Sequence, residues 1–309
     1  MTGPGERRPK LTDPFRIGDV EIANRVLLAP LAGIGNWFVR MQARRHGAGL
    51  AVSEMVSSHA LHYRNERTLR ELLVIRPEEH PVAMQLFGSE PDVMRGAAEI
   101  VADAGADIVD LNMGCPVKKV RKTGAGAELI SDPDLAVAMA AAAVEGAGGR
   151  PVTVKIRSGL VAGDTSGVDV GRRLVEDAGV SGIALHPRPA TVGHKGSPDY
   201  GLVGELKRMV DVPVIVSGGL RDADRARRAY EESGADAVMI ARGSFGYPWI
   251  FEELTGARSE PPTREEILGE LLWVIDRAEE HFGERAYRYL RKFYPWYLDQ
   301  LDVPKLTRS

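Results

Sequence analysis

The sequence predicts an α/β fold, a (β/α)8 TIM barrel with a small C-terminal all-α domain, and three observations carry that prediction. Eight short apolar runs bounded by turn residues alternate with longer amphipathic segments, the pattern of parallel strand and helix units. A glycine closing a helix-like stretch introduces alternate strands, at Gly47-Ala48, Gly105-Ala106, Gly179-Val180 and Gly234-Ala235, and suits the left-handed residue that ends a helix. The alternation stops at Pro261-Pro262, beyond which only helical periods remain. An open doubly wound sheet shares the first two signals, and the number of units favours closure.

In chain order, strands are expected at residues 26–29, 50–53, 82–87, 108–112, 152–156, 182–186, 214–217 and 237–240. The alanine-rich stretch at 136–143 is a good helix, and after the Pro-Pro break helices are expected at 267–282 and 285–301. These place a catalytic barrel at 10–257 and a helical domain at 258–309. With 44% hydrophobic residues in 309, the chain can bury a large core. Its single cysteine excludes an intramolecular disulfide, and the polar start at 1–10 lacks the apolar region of a secretion signal. No stretch approaches a membrane span, so a cytoplasmic protein, or one kept in a reducing compartment, with no membrane partner is expected; a monomer without a metal site is expected as well. A formal net charge of -3 argues against wholesale attraction to nucleic acid and confines polyanion binding to local patches.

A barrel carries its chemistry where its strands end. The fourth strand runs into Asp110-Leu111-Asn112-Met113-Gly114-Cys115-Pro116, where the glycine and proline set Cys115 on a loop at the barrel mouth. The alternative is a buried cysteine acting as a small hydrophobe. Alternation in Val152-Thr153-Val154-Lys155-Ile156 points Lys155 into the barrel, where it needs a bound anion, an electron-rich ring, a Schiff-base partner, or a carboxylate such as Glu54 or Asp110. Gln85 is a costly amide to bury unless it meets a polar partner. His186, taken alone, reads as a hydrogen-bonded core histidine. Gly218-Gly219 and Arg242-Gly243 follow adjacent strands and suit a phosphate, with backbone N–H groups and a charge-assisted arginine converging on it. Past Cys115, Lys118, Lys119, Arg121 and Lys122 form a basic run, and the last helix mixes Arg285, Arg288, Arg291 and Lys292 with Tyr287, Tyr289, Phe293, Tyr294, Trp296 and Tyr297.

Together the runs Leu28-Ala29-Pro30-Leu31-Ala32-Gly33, Gln85-Leu86-Phe87-Gly88, Asn112-Met113-Gly114-Cys115-Pro116-Val117-Lys118-Lys119-Val120 and Val154-Lys155-Ile156-Arg157-Ser158-Gly159 resemble the tRNA-dihydrouridine synthase family. The resemblance spans residues 14 to 300, and the Cys115 loop is its most specific part. It implies an FMN-containing TIM barrel with a C-terminal tRNA-binding domain that reduces the C5=C6 bond of particular uridines, with NADPH as electron source. It further implies that Pro30, Leu31 and Ala32 line the flavin, that Gln85, Asn112, Lys155 and His186 contact its polar ring or ribityl atoms, and that Ser217, Gly218, Gly219, Ala241 and Arg242 hold its phosphate. Hydride transfer to uracil C6 builds negative charge toward C5, which makes Cys115 the implied general acid. RNA contacts are expected at Lys118, Lys119, Arg121, Arg188, Arg288, Arg291 and Lys292. The chain departs from the family's usual runs at Ser217-Gly218-Gly219, at His186-Pro187-Arg188-Pro189, at Gly35-Asn36 and over 191–200. Two other readings remain: an FMN barrel acting on a small pyrimidine, as in dihydroorotate or dihydropyrimidine dehydrogenases, and an RNA-binding barrel without catalysis.

Overall fold

The computed structural model describes residues 8–303. Among the described residues there are eleven strands: β1 (Phe15–Ile17), β2 (Val20–Ile22), β3 (Val26–Leu28), β4 (Leu50–Val52), β5 (Val56–Ser57), β6 (Val82–Phe87), β7 (Ile108–Met113), β8 (Val152–Arg157), β9 (Gly182–His186), β10 (Val214–Ser217) and β11 (Ala237–Ile240). Eight of them, β3, β4 and β6 to β11, pair in parallel in that order, and β11 returns to β3, so the sheet closes into the expected barrel. Each of these strands lies within one residue of its expected bounds.

The strands of the closed sheet are buried on both faces. Val26, Leu28, Met84, Leu86, Val109, Leu111, Val154, Ile156, Ile183 and Leu185 face the helical ring, while Leu27, Leu50, Ala83, Ile108, Ala184, Ile215 and Ala237 face inward. That is why the strands read as continuous apolar runs rather than as alternations. Polarity enters only on the inward face near the C-terminal ends, where the register sets Gln85 beside Asp110, Asp110 beside Thr153, Asn112 beside Lys155, and Arg157 beside His186.

Two elements were not expected. The antiparallel pair β1 and β2 packs Phe15, Ile17 and Ile22 against Leu27, Leu50, Ile108 and Ile215 and plugs the bottom of the barrel. The two-residue β5 pairs with the upper part of β6. Both are too short to produce a readable period.

The C-terminal region is helical. Its first helix, Arg264–Phe282, starts on a capping box in which the Thr263 side chain accepts from the Glu266 backbone and the Glu266 carboxylate accepts from the Thr263 N–H. The helix expected at 285–301 is instead divided into Ala286–Leu290 and Tyr294–Gln300. Pro295, in the first turn of the second piece, has no N–H with which to continue the ladder from the first. The region packs on the first barrel helix, Trp37–Arg45, where Phe38 meets His281, Phe282 and Tyr289 edge-on. Gln42 donates to both Glu270 and the buried Tyr297 hydroxyl, at 2.9 and 2.7 Å. Among the described residues no helix is long and apolar enough to cross a membrane, and no group of three metal-ligating side chains occurs. The last six residues of the expected helical domain, 304–309, and residues 1–7 of the polar start lie outside the described residues.

Candidate active site

The strands deliver their C-terminal ends to one cavity of about 300 Å³ at the barrel mouth. Every residue expected at a cofactor lines it: Pro30, Leu31, Ala32, Gln85, Asn112, Lys155, His186, Ser217, Gly218, Gly219, Ala241 and Arg242, and with them Cys115. The lining also includes Met55, Arg157, His194, Arg221 and Phe245, which no sequence expectation named as site residues.

On the β6 to β8 side the polar residues are joined to one another. Gln85, fully buried, donates from Nε2 to Asp110 Oδ2 at 2.6 Å and accepts at Oε1 from Asn112 Nδ2 at 2.9 Å. Thr153 donates its hydroxyl to the other Asp110 oxygen at 2.6 Å. Asn112 in turn accepts at Oδ1 from the backbone N–H groups of Gly114 and Cys115, at 3.2 and 2.9 Å. A carboxylate deep in the barrel thus fixes the Gln85 amide, which fixes Asn112, which fixes the start of the thiol loop. A buried carboxylate with two neutral donors remains costly to ionise, and burial raises the Asp110 carboxyl to about 6 against those hydrogen bonds and the pull of Lys155.

Lys155 sits above this network. Burial lowers its ammonium to about 8, Arg157 adds to the lowering, and Asp110 opposes it. Arg157 is a brace: Nε donates to the Gly114 carbonyl at 2.9 Å and Nη1 to the Gly193 carbonyl at 3.0 Å, tying the Cys115 loop to the loop after β9. The Cys115 carbonyl accepts from Ala127 N–H at 3.1 Å, and Gly126, at φ +65, leaves room for it. The thiol therefore stands on a loop tied at both ends. His186 is buried, and desolvation together with Lys155, Arg157 and Arg188 lowers its imidazole well below its ordinary value, leaving it neutral at physiological pH.

On the β10 and β11 side the character changes. Gly218 and Gly219 hold φ of +96 and +84, and a Cβ on Gly218 would lie 2.3 Å from the His186 ring, so the backbone comes close to the cavity only as glycine. Arg242 opens a short 3-10 turn, and its guanidinium is lowered by desolvation, then by Arg221 and Arg188. His194 is lowered to about 4 by desolvation, with Arg242, Arg157, Arg188 and Arg221 adding to it. Cations that act on one another without a carboxylate between them, next to open backbone, make a site for an anion.

The cations expected at RNA divide. Lys118 and Lys119 are exposed on the four-residue helix Lys118–Arg121, whereas Arg121 pairs with Glu128 at 2.7 Å. Arg288 and Arg291 are exposed on the C-terminal region, with Arg288 over the Tyr287 ring. Lys292 donates to the Gly33 carbonyl at 2.7 Å. Arg188 departs from the group: it is 6% exposed and donates to the Gly196 carbonyl at 2.6 Å, because the loop after β9 folds over it. Asp110 and Thr153 were findable by extending the alternation that picked out Lys155. His194 and Arg221 come from loops with no period to read.

A dihydrouridine synthase family model matches residues 27–308. The chain is 35% identical to tRNA-dihydrouridine synthase B of Shewanella oneidensis over 294 residues, covering 93% of this chain and 90% of that one. It is 37% identical to the protein of the same name from Pseudomonas aeruginosa over 300 residues, covering 95% and 90%. Among solved structures it resembles morphinone reductase in complex with tetrahydroNAD, with a TM-score of 0.57 at 16% identity over 84% of this chain and 94% of that one. An old yellow enzyme homologue from Zymomonas mobilis gives 0.58 at 15% identity, over 84% and 96%. At such identities these structures share the fold alone.

Proposed function

The chain belongs to the dihydrouridine synthase family, and on that premise we propose that it reduces the C5=C6 bond of specific uridines in tRNA to 5,6-dihydrouridine, with FMN as cofactor, NADPH as electron donor and Cys115 as proton donor. The single observation that supports this reading best is the convergence of Cys115 and the expected cofactor residues on one cavity whose two sides suit the two ends of a phosphorylated ring. FMN, when bound, supplies the hydride for uracil C6 and is recharged by NADPH.

The residues of this chain do the rest. Arg242, Arg221 and the backbone of Ser217, Gly218 and Gly219 bind the phosphate. Gln85 and Asn112, already oriented by Asp110, offer donors and acceptors to the polar ring atoms. Lys155 supplies positive charge beside the ring, favouring its electron-rich form. Neutral His186 offers a hydrogen bond without adding charge. Pro30, Leu31 and Ala32 cover the site from the β3 side and exclude water. Cys115 gives its Sγ proton to uracil C5 as negative charge builds there, and bulk water returns the proton to sulfur. Residues 10–257 form the catalytic barrel and 258–309 the tRNA-binding region, where Arg288 and Arg291, together with Lys118 and Lys119 of the loop after β7, meet phosphates. Such a protein acts in the cytoplasm.

The test is incubation of the purified protein with FMN, NADPH and unmodified tRNA, followed by nucleoside mass spectrometry. Dihydrouridine in the tRNA is expected. Reduction of free uracil with no response to tRNA would replace this reading by the small-pyrimidine one.

A further inference from the structure

We infer that Tyr289, Lys292 and Trp296 are positioning residues through which the C-terminal helices, together with Glu54 of the loop after β4, shape one wall of the flavin pocket; this rests on the FMN reading above. The wall in question is the loop after β3, whose Leu31, Ala32 and Ile34 line the cavity. It turns on Gly33 at φ +76, with Gly35 N–H donating to the Leu31 carbonyl at 2.7 Å. Its next polar groups are satisfied from outside the loop. Gly33 N–H donates to Glu54 Oε2 at 2.5 Å. The Gly33 carbonyl accepts from Lys292 Nζ and the Ile34 carbonyl from the Tyr289 hydroxyl, both at 2.7 Å. The Gly35 carbonyl accepts from Glu54 N–H at 3.1 Å and from Arg40 Nη1 at 3.3 Å. Two of three consecutive carbonyls are therefore held by side chains more than two hundred and fifty residues away in sequence.

A second contact from the same region reaches the same cavity. Trp296 stacks on Phe245, which lines the pocket, with ring centroids 4.3 Å apart and planes at 29°. Beside it Gly246, at φ +63, approaches so closely that a Cβ would lie 2.7 Å from the Trp296 carbonyl carbon. A loop whose carbonyls are deprived of such partners opens locally at little cost, and its side chains then no longer form a fixed surface. The C-terminal helices thus complete the cavity, and Lys292 acts at the flavin wall through Gly33.

Lys292 and Tyr289 hold the loop after β3, which carries none of the arginines that suit a phosphate, and that difference provides the test. The dissociation constants of FMN and of riboflavin, and the visible absorption spectrum of the bound flavin, are measured for the wild type, Lys292→Met, Tyr289→Phe and Lys292→Arg, with circular dichroism checking the fold. Removal of either hydrogen bond is expected to weaken FMN and riboflavin alike, by roughly threefold to tenfold, with a shifted flavin band, and Lys292→Arg is expected to recover most of the affinity. Unchanged dissociation constants and spectra in both Lys292→Met and Tyr289→Phe, beside a flavin-bound wild type that modifies tRNA, overturn this inference alone. A wild type that takes up no FMN overturns the functional reading and this inference with it.

Discussion

The two sides of the barrel mouth solve opposite problems. On the β6 to β8 side, Thr153, Asp110, Gln85 and Asn112 satisfy one another through hydrogen bonds of 2.6 to 2.9 Å. On the β10 and β11 side, Arg221 and Arg242 act on one another, and on Arg188 of the loop after β9, as like charges. The first side is organised before any ligand arrives, so it can present fixed donors and acceptors to a ring. The second leaves positive charge uncompensated, so it gains most when an anion enters. A cofactor with a polar ring at one end and a phosphate at the other bridges the two.

The comparison breaks most visibly at Asp110. Its folded carboxyl titrates near 6, above an unfolded value of about 3.9. The stability it contributes is therefore fully present below about pH 4 and is lost as pH rises through about 6, a change of about 3 kcal/mol. Asp110→Asn removes that slope, which denaturant titrations between pH 4 and 7 will detect. In the same variant the new amide oxygen still accepts from Gln85 Nε2 while its NH2 donates to the Thr153 hydroxyl, so Gln85 and Asn112 keep their orientation, FMN affinity is retained, and neutral-pH stability is retained or rises.

Next in size is the removal of an arginine on the other side. Arg242→Ala removes a charge-assisted contact of about 1.5 to 3 kcal/mol, or about ten- to a hundredfold in FMN dissociation constant. Riboflavin, which lacks the phosphate, is expected to bind the variant nearly as it binds the wild type. Equal weakening of both ligands would show that the two sides are not divided in this way.

The smallest effect sharpens the contrast between the mouth and its rim. Replacing Lys118 and Lys119 by alanine leaves FMN binding unchanged and lowers tRNA affinity, with the salt dependence of binding reduced by about 0.7 to 0.9 for each phosphate that is no longer neutralised. Filter binding at several salt concentrations measures it.

The barrel strands, and the lining residues Gln85, Asn112, Lys155 and His186 that stand on them, were legible because each lies on a run long enough to show burial on both faces and a polar residue at its end. The N-terminal plug was not, since Phe15, Ile17 and Ile22 belong to three-residue strands. Asp110 was visible as a residue but not as the anchor of a network, because its partners arrive from two neighbouring strands by register. Arg188 shows the limit of reading charge as surface: the run that holds it is polar, yet the loop after β9 folds over its side chain. Lys292 shows it again, since only the packed helices bring its ammonium to Gly33.

Cys115 as the proton donor to a uridine reduced at this cavity is tested by comparing wild-type and Cys115→Ala protein in single turnover with unmodified tRNA, each first reduced and confirmed to hold equal FMN. The account predicts full dihydrouridine formation in the wild type and a rate lower by about a hundredfold to ten-thousandfold in the variant, with flavin content and tRNA affinity unchanged. Equal rates in the two proteins would contradict it.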